Sequence, residues 1–203
     1  MKKLFLLSLF FLPAAVVFSQ ATFQKKLDIF LESPMLRVTP GGDGFYLADV
    51  FILNGVNRIY VLKLDAQGNV LWRLEQFNIH PDLKLIQMEA VTDGLVLLFN
   101  TVTPTESNAD LLKVNTDGTL AWSRRYGAEN FTQLFDIETD PNGNLWLSGL
   151  HLATAMSDSS YHFLTKAGSD GLPLASKQNY FHYFPNIGYE ACRYTDLNWD
   201  KVN

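Results

Sequence analysis

Three stretches of this 203-residue chain align without gaps when hung on a glycine. Residues 63–72 (KLDAQGNVLW), 113–122 (KVNTDGTLAW) and 166–175 (KAGSDGLPLA) each open on a lysine and turn at Gly68, Gly118 or Gly171. An apolar stretch follows, which twice ends in tryptophan, at Trp72 and Trp122. The glycines lie 50 and 53 residues apart. A second set aligns independently: 35–38 leads to Asp43-Gly44, 85–88 to Asp93-Gly94 and 134–137 to Asn142-Gly143, at spacings of 50 and 49. Two anchor sets sharing one period define a repeated structural unit.

Within one period the residues read as four short strands, which in the middle repeat fall near 85–91, 95–101, 110–115 and 120–126. Asp-Gly and Asn-Gly between apolar runs supply the positive φ that tight hairpins need. After the N-terminal segment no window carries the i, i+3, i+4, i+7 stripe of an amphipathic helix. The central run from Leu95 to Phe99 is apolar at every position, which suits a strand covered on both faces. A sheet of this size that is greasy on both sides must lean on copies of itself, and radial stacking achieves that. The expectation is an all-β, β-propeller-like fold built from four-stranded antiparallel blades of about 50 residues, in an incomplete ring; a sandwich or a β-solenoid is the rival.

The Lys-x-Asp-x-x-Gly-Asn-Val-Leu-Trp segment at 63–72, preceded by an Asp-Gly-aromatic strand, resembles the propeller repeats of large secreted bacterial proteins. It is also similar to the tryptophan-docking repeats of quinoprotein-type and outer-membrane assembly propellers, which carry Thr-Gly-Lys in the turn. The resemblance spans residues 21–180 at the level of the repeat and implies fold, not activity. Ala175 departs from it, standing where Trp72 and Trp122 predict a tryptophan.

Lys2-Lys3, an apolar run to Leu12, then Pro13 and small or apolar residues to Ser19 read as a signal peptide spanning 1–19, with the repeat domain at 20–203. The apolar stretch is shorter than the ~20 residues a spanning helix needs, so export to the periplasm, outer surface or medium is expected, with no membrane span afterwards. The chain carries 16 basic and 21 acidic side chains, net −5, and loses Lys2 and Lys3 with the leader, which takes it to −7. That balance lacks the basic footprint of a nucleic-acid partner. Cys192 is the sole cysteine, so no internal disulfide forms and packing alone holds the fold; it is read as a small buried hydrophobe. Residues 23–27 match 122–126, the outer strand of a unit, while 187–203 begin a fourth unit anchored by Trp199. A ring of four to eight such units needs more residues than these, so a piece of a longer product is expected, against closure by assembly or an open arc.

Chemistry is sparse. Asp65, Asp117 and Asp170 sit in turns that offer one or two carboxylates each, short of the six to eight oxygens of a calcium site, and turn chemistry explains them. His80, His151, His162 and His182 lack zinc-ligand spacing and read as solvated or singly hydrogen-bonded. Ser148-Gly149 reads as a turn and not a nucleophile elbow. Glu89, Asp136 and Glu138 fall in first strands, which line the axis of a propeller; polarity there meets water, and a glycosidase pair is the rival. No cofactor is expected. The aromatic run 180–185 is the one distinctive segment outside the repeat, with Tyr180, His182 and Tyr183 as a platform for a protein or glycan ligand, or else as the outer strand of the third unit. Together these point to an exported, non-catalytic binding or scaffolding module. A hydrolase or quinoprotein-like oxidoreductase completed by further blades, and a fragment without independent function, are the alternatives.

Overall fold

The computed structural model describes residues 37–54, 56–77, 82–103, 105–127, 131–152 and 159–182. The leader, the 23–27 segment, His80, Tyr183, Cys192 and the 187–203 unit lie outside the described residues.

The described chain is all-β. The first sheet holds β1 (Arg37–Gly41), β2 (Gly44–Leu53), β3 (Val56–Asp65) and β4 (Val70–Phe77). The second holds β5 (Leu83–Val91), β6 (Gly94–Val102), β7 (Ser107–Asn115) and β8 (Leu120–Tyr126). The third holds β9 (Phe131–Thr139), β10 (Leu145–Leu152), β11 (Ser159–Ala167) and β12 (Pro173–His182). Each sheet is a four-stranded antiparallel meander, with neighbours in chain order. The four strands expected of the middle repeat are all present, each within three residues of its expected ends.

One turn recurs four times. In the β3–β4 connection Asp65 N–H donates to Asn69 O and Gly68 N–H to Asp65 O. The same two closures recur at 115–119, 140–144 and 168–172. Gly68, Gly118 and Gly171 have φ of 77°, 86° and 74°, which is the left-handed conformation this three-residue loop demands. The acids cap it: Asp65 Oδ1 accepts from Gln67 N (2.9 Å) and Asn69 N (2.7 Å), Asp117 Oδ1 from Thr119 N (2.9 Å), and Asp170 Oδ1 from Leu172 N (3.0 Å). Their carboxylates are occupied by their own turns, as Asx-type capping predicts.

Two apolar cores separate the three sheets. Tyr46, Ala48, Ile59 and Val61 of the first sheet meet Leu85, Leu95, Leu97 and Phe99 of the second. Val96, Leu98 and Leu111 of the second meet Leu134, Ile137, Leu145 and Leu147 of the third. Strand β6 alternates its side chains between these cores, so every residue from Gly94 to Thr101 is buried. The all-apolar run is the signature of this two-sided burial. First strands stand next to first strands, β1 beside β5 and β5 beside β9.

Polar groups tie the sheets as well. Trp72 Nε1–H donates to Thr116 O (2.7 Å), and Trp122 Nε1–H to Ser169 O (3.2 Å), so each indole rests on the glycine turn of the following sheet. A Cβ on Gly118 would stand 2.9 Å from the Trp72 ring, and one on Gly171 2.8 Å from Trp122. Asn100 reads the β9 backbone with both ends of its amide, donating to Leu134 O (2.8 Å) and accepting from Leu134 N (3.1 Å).

One local expectation is corrected. Ser148 and Gly149 are not a turn but lie inside β10, paired to β9 and β11, with a register shift opposite them. Ladder hydrogen bonds on both sides override the turn preference of a Ser-Gly pair.

Candidate functional site

The lysine that opens each repeat has a structural partner. Lys63 Nζ donates to Gly41 O and lies 3.5 Å from the Asp43 carboxylate. Lys113 Nζ pairs with Asp93, and Lys166 Nζ with Asp140 at 3.1 Å. In every sheet the third strand therefore sends a cation to the hairpin between the first two strands. Lys63 and Lys113 are almost wholly buried, and a buried ammonium needs such a partner. The Lys113 hydrogen bond holds the Asp93 carboxyl below its ordinary value.

A cleft of about 480 Å³ opens at the second of these pairs, between the second and third sheets. Val91, Val96 and Leu145 form apolar lining; Lys113 and Asp93 line one side and Asp140 the other. A volume in this range is that of small-molecule sites, and here the lining mixes apolar side chains with Thr92, Thr139 and Asn142. Asp140 is rigid. Its carboxylate accepts from the backbone N–H groups of Asn142 and Asn144 (both 2.9 Å), from the Asn144 side chain (2.8 and 3.0 Å) and from Lys166. Burial alone would push this carboxyl up; the hydrogen bonds from Asn144, Lys166 and Asn142 win and hold it well below the usual carboxylate range.

Beside the cleft, Thr139 Oγ1 donates to Glu89 Oε1 (2.8 Å), and Gln87 Nε2 to Ile137 O (3.3 Å), bridging β5 and β9. Burial pushes the Glu89 carboxyl up; the Thr139 hydrogen bonds oppose this, and the charge of Asp136 adds to it. Asp136 is buried and accepts its neighbour's N–H at Ile137 (3.0 Å). Glu138 sits on β9 opposite Trp146. All three carboxylates therefore lie on adjacent first strands.

Tyr180 and His182 lie on β12, opposite Tyr161 and Ser159. That is the far end of the ten-residue strand from the turn that carries Ser169 at the cleft, so the structure does not bring them to it. His151 Nδ1 is 3.0 Å from Thr132 Oγ1, a single hydrogen bond, and burial lowers the pKa of both His151 and His162. Among the described residues no group of three or more His, Cys, Asp or Glu stands together as metal ligands would. Among the described residues no helix is long and apolar enough to cross a membrane.

No catalytic or ligand-binding motif marks the cleft in the sequence, although Asp93, Lys113 and Asn142 belong to the repeat pattern. The signal was a comparison between repeats: Tyr46, Val96 and Trp146 occupy one register position, opposite Lys63, Lys113 and Lys166. No family model matches this chain, and no curated protein matches it significantly.

Proposed function

We propose that this chain is an exported, non-catalytic binding module of propeller type, and that the cleft between its second and third sheets is where it holds its ligand. The observation that carries this reading is the cleft itself, lined by the Lys113–Asp93 pair and by Asp140. The propeller reading is supported by the adjacency of first strands, by the two-sided burial of β6 and by indoles docked on the next sheet's turn. Export is supported by the charged, apolar and small-residue order of the first nineteen residues. A binding role is favoured over catalysis because the Glu89 carboxylate is engaged by Thr139 in the bridge between β5 and β9.

The test is a screen of peptides, oligosaccharides and small molecules read by amide chemical-shift mapping. A ligand is expected to move residues 90–96, Lys113 and 139–145. Turnover of a glycoside that is abolished in Glu89→Gln would replace the binding reading with an enzymatic one. A broad library in which nothing reaches these residues would remove it.

A further inference from the structure

The three repeats differ at one place where their backbones agree. In the first sheet Tyr46 pairs with Lys63, and the ammonium lies 4.2 Å from the centre of the phenol ring. In the third, Trp146 pairs with Lys166, whose ammonium is 5.4 Å from the indole. In the second, the residue opposite Lys113 is Val96. A second position differs within the same hairpin. Gly41 leaves room for the Tyr46 ring, since a Cβ there would stand 2.2 Å from it; the register equivalent of Gly41 in the second sheet is Val91. Two valines thus replace a glycine and a tyrosine, and both line the cleft together with the retained lysine.

We propose, building on the binding reading above, that the cleft takes the aromatic ring of a ligand, of phenol or indole class, which lodges on Val91 and Val96 beside Lys113, as Tyr46 and Trp146 lie beside Lys63 and Lys166. Three properties of the place fit that occupant. Lys113 is almost fully buried although its β6 partner is Val96 and not an aromatic residue, and the indole of its β8 partner, Trp122, donates to Ser169 O. Its pairing with Asp93 does not exclude a ring, because Lys63 and Lys166 keep their carboxylate partners beside a ring. The Val91 and Val96 side chains offer apolar contact to the ring, and a desolvated ammonium rewards its π face.

The experiment uses p-cresol and 3-methylindole, the side-chain analogues of tyrosine and tryptophan, with cyclohexanol as the saturated control. N-acetyltyrosinamide serves as the peptide-borne form. Titration of the full chain, followed by amide shifts and calorimetry, is expected to show saturable binding of the aromatic probes at the cleft and weaker binding of cyclohexanol. Tighter binding of N-acetyltyrosinamide than of p-cresol would assign the ring to a peptide, and the reverse to a free small molecule. The double variant Val91→Gly/Val96→Tyr transplants the first sheet's pair, and should fill the cleft and weaken p-cresol at least tenfold. Lys113→Met keeps the stem, loses the charge, and should reduce the preference for p-cresol over cyclohexanol by about two- to fivefold. Equal binding of p-cresol and cyclohexanol, or p-cresol binding unaltered in both variants, overturns the proposal. A non-aromatic ligand seated in the cleft while p-cresol fails to bind overturns it and leaves the binding reading standing; a cleft that takes nothing removes both.

Discussion

Two carboxylates in this protein are pushed in opposite directions, and each leaves a pH signature. Asp140 accepts several hydrogen bonds, and its folded pKa is depressed from the ordinary 3.8. Its contribution to stability is therefore present above that value and is lost as pH falls through the lower folded value. Asp140→Asn is expected to cost about 1–3 kcal/mol at pH 7, the range for hydrogen bonds to a charged group and for partners left unsatisfied. The cost should shrink in denaturant titrations run toward pH 2. Glu89 is the converse case: burial raises its folded pKa from the ordinary 4.5. Ionising it costs stability, a penalty absent below that value that grows as pH rises through the folded one. The stability of Glu89→Gln relative to the native chain should therefore rise between pH 4 and pH 7, and a flat or falling difference would contradict the assignment.

At the level of elements, the recurring glycine turn does two jobs. It closes a hairpin within one sheet and receives an indole from the sheet before it. Trp72→Phe keeps a ring but deletes the bond to Thr116 O, and should cost about 0.5–1.5 kcal/mol. Gly118→Ala imposes left-handed strain on a residue with a Cβ, at about 1–3 kcal/mol, and drives that Cβ into the Trp72 ring. Because both changes act on one contact, their effects should not add. A double-mutant cycle in urea that returns simple additivity would show that the indole and the turn are energetically separate. The third sheet has no such indole, since Ala175 holds the register position of Trp72 and Trp122, opposite Lys166, and is exposed.

Across the whole molecule, the sheets form a row in which each touches its neighbours, and the middle one is covered twice. Stability in such an array is the sum of unit and interface contributions. The amides of β6, buried throughout its length, should be the slowest to exchange with deuterium. Those of β4, β8 and the 173–177 part of β12, whose side chains alternate with or face solvent, should be the fastest. Hydrogen-exchange mass spectrometry resolves this order directly, and equal protection of β6 and β8 would argue against a core on each side of the second sheet.

Much of this architecture is legible in the residues because it is local. The strand runs of the middle repeat and the glycine turns depend on residues within a few positions of one another, and the Asp65, Asp117 and Asp170 caps reach only two to four residues along the chain. Ser148-Gly149 shows the limit of local reading, since the same dipeptide serves a turn or a strand and the ladder partners decide. The Lys113–Asp93 pair was half visible: both residues repeat, but their meeting depends on register across three strands. The chain alone was enough to specify period, strand class and turn chemistry, since hairpin closure draws on neighbours in sequence. The cleft was decided by assembly. Val96 in place of Tyr46 is plain in the residues, but an unfilled space is bounded by surfaces from residues some fifty positions apart, and it exists only once one sheet has been laid against the next.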